Sequence, residues 1–348
     1  MEDHTFNIES GLYLRVGGHP ILQKLGSIIS NKYKISNQPY LVPSGMAALT
    51  TSIFAIAESR KNSPGRFIFS SEMYTDTLNS LYNLIDTHTP HTCEKLDIWN
   101  RNALKNRLKE TSPEIHAFIV ESASNPNAKV PIWDLIPNWT TLIVDNSWLS
   151  PELFNPFEFG ADIVIESMTK YWNAGKRFGG FVLCKSKNMT KRVGKIAKAF
   201  GMHVPPNHAK EMLQLQSNLS ERMSKISFRM ESEILPFLEN HPHISWVNTW
   251  KQPDPSNDNL FPGVVYFGIR MNNPLFSCTS KERKNKWKKW CEDLSIKAAT
   301  SYGKSYDLVD HWTVGEENEV HIRLSLGFHS NPNIKKDLSK LIQRIRNS

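Results

Sequence analysis

Five short apolar runs constrain this chain more than anything else in it. They are RFIFS (residues 66–70), HAFIVES (116–122), TLIVDN (141–146), DIVIES (162–167) and FVLCKS (181–186). Turn signals or helical stretches separate the first four, and the fifth follows closely. Buried strands alternating with helices argue for a mostly parallel sheet covered by helices. Ahead of the first run, residues 46–58 (MAALTTSIFAIAE) read as a helix of small and apolar residues. Residues 207–239 read as one long helical stretch, interrupted only near its end by Pro236. Beyond it, VVYFGIR (264–270) and VHIRLSLG (320–327) read as new strands, and IKKDLSKLIQRIR (334–346) as a closing helix. A length of 348 residues suggests two domains. The composition shift near residue 230 predicts an irregular N-terminal arm over 1–25, a large domain over 26–230 and a small one over 231–348.

The bulk properties exclude several classes of function. No apolar run approaches the roughly 20 residues a membrane helix needs, so no membrane partner is expected. Residues 1–20 carry no apolar signal region, which argues against export. Cys93, Cys184, Cys278 and Cys291 are scattered, form no CxxC pair and share no ligand spacing with histidine. A reducing cytoplasm and the absence of a bound metal follow as expectations. The net charge is +8, and the window 281–290, KERKNKWKKW, holds six basic residues against one acid. Trp287, Trp290, Cys291 and Leu294 recur there at helical spacing, so the window reads as an amphipathic surface helix with its tryptophans inward. Nucleic-acid binding would need stacking aromatics beside the lysines and is not expected.

Several residues stand where chemistry is done in α/β proteins. Lys170 follows the run DIVI, and Asp145, 25 residues earlier, ends the run TLIV. Groups placed just beyond parallel strands face the crevice in which such folds bind ligands. Ser167 and Thr169 put hydroxyls three and one residues before Lys170, where they can donate hydrogen bonds to a phosphate. Ser44, Gly45 and Met46 precede or open the 46–58 helix, whose N-terminus offers unpaired N–H groups and a positive dipole to an anion. Arg323 interrupts an otherwise apolar strand, and a buried arginine needs an anionic partner.

Taken in order, SGMAA, ESASNPNAKV, VDNSWLSP, ESMTKY and IRLSLG resemble the Cys/Met metabolism group of pyridoxal-phosphate enzymes. That group includes cystathionine β- and γ-lyases, cystathionine γ-synthase, methionine γ-lyase and homoserine sulfhydrylases. The similarity runs from about Gly11 to the C-terminus. It implies a fold-type-I pyridoxal-phosphate transferase fold: a large domain with a mostly parallel seven-stranded sheet, plus a small C-terminal α/β domain.

The resemblance also implies roles. Lys170 holds the cofactor aldehyde as a Schiff base and later shuttles protons. Asp145 pairs with the pyridine nitrogen and keeps the ring cationic. Ser44, Gly45 and Met46, with Ser167 and Thr169, hold the phosphate. Tyr74 stacks on the ring and helps protonate a leaving group. Asn125 lies near the phenolic oxygen. Tyr13 and Arg15 match a Y-x-R segment that reaches the phosphate of a neighbouring subunit, so a homodimer or homotetramer with shared active sites is implied. Arg323 and Ser301 grip the carboxylate of an amino-acid substrate.

The sequence departs from the family pattern at Thr75-Asp76, in the stretch NAGKRFGG after the lysine, and at Lys304 and Tyr306. With Lys176 and Arg177, Lys304 hints at an acidic or unusual substrate. The expected activity is β/γ-elimination or γ-replacement on a sulfur amino acid or an activated homoserine. Two alternatives remain open at this point. One is carbon–carbon γ-replacement on the same scaffold; the other is a non-catalytic interaction protein that keeps the fold.

Overall fold

A computed structural model describes residues 18–110, 114–251, 253, 260–272, 280–314 and 319–347. The chain divides into two compact units. One comprises the residues up to Asn125 with Pro131–Asn218, and the other Pro126–Val130 with the residues from Leu219 onward.

The first unit is built on seven strands: β1 (Tyr40–Val42), β2 (Arg66–Ser70), β3 (Thr92–Leu96), β4 (Ile115–Glu121), β5 (Thr141–Asp145), β6 (Ile163–Ser167) and β7 (Gly180–Cys184). Their order in the sheet is β1-β7-β6-β5-β4-β2-β3. Strands β3, β2, β4, β5 and β6 pair in parallel, while β7 runs antiparallel to both β6 and β1. All seven positions of β4 are buried, as a strand covered on both faces requires.

Two helices matter most here. Helix α1 (Pro20–Lys32) starts on His19, whose ring accepts the Ile21 N–H, and has a proline in its first turn, where the missing donor costs nothing. Helix α2 (Gly45–Ser59) packs Ala48, Leu49, Ile53 and Ile56 against Ile143, Ile163, Ile165 and Val182. The small residues on α2 let it lie close to the sheet, and each large aliphatic group so buried contributes about 1.5–3 kcal/mol.

The second unit carries a five-stranded sheet made of β8 (Ile244–Asn248), β9 (Val264–Arg270), β10 (Lys297–Ala298), β11 (Leu308–Val314) and β12 (Glu319–Ser325). The order is β10-β11-β12-β9-β8, antiparallel except for the β10–β11 pair. Helix Ile334–Arg346 buries Ile334, Leu338, Leu341, Ile342 and Ile345, a stripe at helical spacing. In helix Ser280–Cys291, Trp287 and Cys291 point inward.

The long helical stretch expected over 207–239 is broken. It forms helices Pro206–Gln216 and Leu219–Arg229, a π-turn over Met230–Ile234 and a last turn Leu235–Glu239. At the first break the Ser217 hydroxyl turns back to the Gln214 carbonyl at 2.8 Å. At the second, Pro236 lacks an N–H and its ring crowds the carbonyl four residues back, so the preceding turn widens. Among the described residues no helix is long and apolar enough to cross a membrane.

Candidate active site

The carboxyl edge of the first unit's sheet gathers chemistry-bearing residues. Strands β1, β2, β4, β5 and β6 all end there, and β7 begins there. Helix α2 is drawn onto this edge by two glycines. A Cβ on Gly45 would lie 2.7 Å from Ser167 Cβ and 3.1 Å from Ser167 Cα. A Cβ on Gly180 would collide with the Ser44 carbonyl, 2.6 Å from its carbon, and lie 2.9 Å from the Gly45 nitrogen. Backbone stands on the other side of both contacts, so neither can give. Ser44 caps α2, its hydroxyl accepting the Ala47 N–H at 3.1 Å. As the first two helical residues, Gly45 and Met46 have no intrahelical acceptor for their N–H groups. The result is a pair of outward amides, at the positive end of a helix, pressed against the end of β6.

Asp145 closes β5, level with Glu121 on β4 and with Ile165 on β6. Its Oδ1 accepts the Ser147 N–H at 2.8 Å in an Asx turn. The Ser147 hydroxyl in turn accepts the Ser167 N–H at 2.6 Å, which ties the Asp145 turn to the end of β6. Burial raises the Asp145 carboxyl from its ordinary range, and the Ser147 hydrogen bonds and the Lys170 ammonium pull it back. That opposition places a half-buried acid and a lysine within electrostatic reach of each other.

Lys170, half-buried, stands on a closed turn. Its N–H donates to the Ser167 carbonyl at 3.2 Å, Asn173 N–H to Met168 at 2.9 Å, and Gly175 N–H to the Lys170 carbonyl at 3.2 Å. The chain leaves this turn through Ala174 and Gly175 at positive φ (53° and 70°). The Thr169 hydroxyl lies against the Gly179 backbone, accepting its N–H at 3.3 Å.

Tyr74 sits beyond β2, fixed through its backbone: its N–H donates to Glu121 Oε1 at 2.7 Å. The ring is 43% exposed, open to a stacking partner. Partial burial, then the Asp76 carboxylate beside it, raise the phenol above its ordinary value. The Thr77 hydroxyl reaches Met46 Sδ at 3.8 Å, joining this segment to the start of α2. Asn125 follows β4, and the neighbouring Ser124 hydroxyl donates to Glu72 at 2.8 Å. The expected residues Lys170, Asp145, Ser44, Gly45, Met46, Tyr74, Asn125, Ser167 and Thr169 thus all stand on segments leaving one edge of one sheet.

Arg323 and Ser301 belong to the second unit. Arg323 is buried on β12, opposite Asp310 of β11, with Nη2 3.8 Å from the Asp310 carboxylate. The anion that a buried arginine requires is therefore present in its own sheet. Tyr13 and Arg15 lie outside the described residues. Of the cations that hinted at an acidic substrate, Arg177 forms an ion pair with Glu211 at the rim of a cavity of about 420 Å3 that Lys176 also lines. Tyr306 lies beneath the Lys297 ammonium, 4.1 Å from the ring centre. Burial pushes the thiols of Cys93, Cys184 and Cys291 up to about 12, which makes none of them a nucleophile near neutrality.

Sequence reasoning passed over Glu121, Ser147 and Gly180. The signals were present but ordinary: an acid ending a strand, a serine two residues after an aspartate, and a Gly-Gly pair opening a strand. Each matters only through a neighbour distant in the chain.

The sequence is matched over residues 10–342 by the family model described as Cys/Met metabolism PLP-dependent enzyme. It is similar to the cystathionine gamma-synthase/O-acetylhomoserine (thiol)-lyase of Bacillus subtilis (strain 168), 26% identical over 325 residues, spanning 87% of this chain and 78% of that protein. With the methionine gamma-lyase of Arabidopsis thaliana the identity is 25% over 235 residues, 65% of this chain and 48% of that protein. Among solved structures, the cystathionine gamma synthase of Xanthomonas oryzae pv. oryzae in complex with cystathionine has a similar fold. The TM-score is 0.80 at 19% identity, covering 95% of this chain and 87% of that one.

Proposed function

Because this chain belongs to the Cys/Met metabolism PLP-dependent enzyme family, we propose that it makes or breaks a carbon–sulfur bond at the side chain of a sulfur amino acid or an activated homoserine. It does so by β/γ-elimination or by γ-replacement. The observation that carries this reading is the joining of Asp145, Lys170 and the first turn of α2 at one strand edge.

The residues present fit the cofactor. Gly45 and Gly180 keep clear a cradle that a Cβ would disturb, and two helix-terminal amides face outward from it. A phosphate suits such amides. A carboxylate and an amine within electrostatic reach suit the two ends of the cofactor's chemistry. Gly45, Met46, Ser44 and Ser167 would hold the phosphate, with Thr169 beside them. Asp145 would face the pyridine nitrogen, Asn125 the phenolic oxygen and Tyr74 the ring. Tyr13 and Arg15 would reach the phosphate of a neighbouring copy in a homodimer or homotetramer. Bound there, pyridoxal phosphate supplies an electron sink conjugated with the substrate's α-carbon.

The chain's own residues do the rest. Asp145, braced by Ser147, holds a proton at the pyridine nitrogen. The Lys170 amine takes the proton from the substrate α-carbon and returns it to the product. Tyr74 stacks while Glu121 fixes its backbone, and its raised phenol stays protonated near neutrality, able to donate to a departing sulfur or oxygen. Arg323 and Ser301 would be the residues to bind the substrate carboxylate, as the family resemblance implies.

The test is product analysis with purified protein. L-cystathionine alone, and O-acetyl-L-homoserine with cysteine, are supplied in turn while the visible band is followed. Pyruvate or 2-oxobutanoate from cystathionine reports β- or γ-elimination; cystathionine from the second pair reports replacement. Lys170→Ala is expected to fold and to make none of these. Turnover by that variant at the wild-type rate, or no turnover of any sulfur or homoserine substrate by wild type, sinks the reading.

A further inference from the structure

Strand β6 ends in a buried acid to which the chemistry above gives no task. Glu166 is only 1% exposed. Side chains alternate along a strand. Ile165 packs toward α2, so Glu166 faces the opposite side of the sheet, beside Phe181, its partner on β7. There Glu166 Oε1 accepts the Tyr33 hydroxyl, and Oε2 accepts the Trp172 indole N–H at 2.9 Å. Tyr33 caps the end of α1. Its oxygen accepts from Asn146 Nδ2 at 2.9 Å, which also donates to the Phe154 carbonyl at 2.9 Å. Asn146 Oδ1 accepts the Ser122 hydroxyl at 2.7 Å.

This chain of hydrogen bonds admits one arrangement. Asn146 cannot be turned over without setting its oxygen against the Phe154 carbonyl. Its amide therefore donates to Tyr33, and Tyr33 directs its single proton at Glu166. Glu166 is left as the acceptor of two donors that come from widely separated segments.

We infer that Glu166 is a positioning residue for Lys170, tying Trp172 to the end of α1 and so fixing both ends of the turn on which the lysine stands. The turn starts at Glu166 and Ser167, the latter pinned by the Ser147 hydroxyl. Past the lysine it is anchored at Trp172, fully buried edge-on against Phe181, with ring centres 5.7 Å apart. Lys170 lies between these two anchors. Burial raises the Glu166 carboxyl well above the ordinary range, the donors from Tyr33 and Trp172 oppose that rise, and Asp145 and Glu152 add to it. Glu152 is itself paired with Lys32, the residue before Tyr33. An acid held there against such an environment needs its donors kept in place, which is what makes it a rigid anchor.

This inference rests on Lys170 as the cofactor-bearing amine, and the experiment keeps the two apart. The variants are Glu166→Gln, Trp172→Phe and Tyr33→Phe. Gln must set an NH2 against one of the two donors; Tyr33→Phe removes one donor and keeps the ring, and Trp172→Phe removes the other and puts a smaller phenyl in place of the indole. The amine reactivity of Lys170 is read in the cofactor-free protein by competitive acetylation across pH, with mass spectrometry of its peptide. In loaded protein kcat and KM are measured separately. Glu166→Gln and Trp172→Phe are expected to shift Lys170 reactivity by about threefold or more. They should also lower kcat by about tenfold or more while KM moves by less than about threefold. Wild-type reactivity and kcat in every variant that folds, with only the melting temperature lowered, would overturn the inference, because Glu166 would then merely hold the core. If Glu166→Gln fails to fold, the two Phe variants decide. If borohydride fixes the cofactor of the wild type to a lysine other than Lys170, the reading of the site falls first; if the label is on Lys170 and the variants react as wild type, the positioning role alone falls.

Discussion

Replacing Gly180 by alanine tests whether backbone shape alone builds the phosphate cradle. The new Cβ would stand 2.6 Å from the Ser44 carbonyl carbon and 2.9 Å from the Gly45 nitrogen. Ordinary contact begins near 3.4 Å, so the start of α2 and the start of β7 must part by about 0.8 Å. Overpacking of this kind costs about 1–3 kcal/mol of stability. The functional effect has a second source. A hydrogen bond from an amide to a charged oxygen is worth about 1.5–3 kcal/mol. Misaligning one of the two amides at Gly45 and Met46 therefore weakens phosphate binding by roughly ten- to a hundredfold. Stability loss alone must be separated from this. Gly201 serves, because it has φ of +64° and nothing within 4 Å of its would-be Cβ. Gly201→Ala costs about 1–2 kcal/mol through backbone strain and touches no part of the cradle. Cofactor-free proteins would be titrated with pyridoxal phosphate, following the visible band, and unfolded in urea alongside. Gly180→Ala should lose both stability and cofactor affinity, and Gly201→Ala stability only. Wild-type cofactor affinity in Gly180→Ala, or equal weakening in Gly201→Ala, refutes the argument.

Other parts of the molecule give further expectations. Asp145→Asn cannot hold the ring-nitrogen proton by charge; kcat should fall by about a hundredfold or more, with the cofactor still bound and circular dichroism unchanged, and steady-state kinetics check it. Arg229 grips Asp307 with both terminal guanidinium nitrogens, at 3.0 and 3.1 Å, and donates to the Gly327 and His329 carbonyls. Arg229→Met leaves the buried Asp307 carboxylate without its counter-charge, with only the Gly327 N–H and the Asn331 amide as donors, and should cost about 3–5 kcal/mol in denaturant unfolding. His91 is buried between Phe67 and His116, and burial lowers its pKa from the ordinary 6.5, with His116 adding to the effect. Below that ordinary value the unfolded chain binds a proton that the folded protein refuses. The stability His91 confers is therefore complete above 6.5 and is lost as pH falls through the lowered value. The urea midpoint should drop over that window in wild type and less in His91→Gln.

The mostly parallel larger sheet was legible because its central strands are continuous apolar runs, and so were β9 and β12 of the smaller sheet; the count of seven came from the family resemblance. In the larger sheet the runs did not reveal β1 and β3. Strand β1 is three residues long. Strand β3, TCEKL, lies at the sheet edge with exposed and half-buried positions, so it lacks an apolar signature. The long helix was overextended because helical periodicity continues through Ser217 and up to Pro236, while the backbone does not. In the site, Lys170 and Asp145 could be named because each follows a strand whose end is obvious. Ser147 and Glu121 could not, since their roles depend on β5 lying between β4 and β6, an order that no local pattern states.

Glu166 shows where that boundary falls. In DIVIES it is one acid at the end of an apolar run, and an acid there most simply marks the strand reaching water. The fold reverses this, because α1 brings Tyr33 over the end of β6 while the turn after Lys170 brings Trp172 back beneath it. Two donors from residues 133 positions before and six after meet the carboxyl, and it stays buried. The same turn carries Lys170, whose ammonium lies within electrostatic reach of Asp145. The acid and the lysine therefore belong to one construction: the buried side holds the turn still, and the open side presents the amine. Without Glu166 the Trp172 indole N–H would lose its acceptor, and that side of the lysine turn would keep only the packing of Trp172 on Phe181.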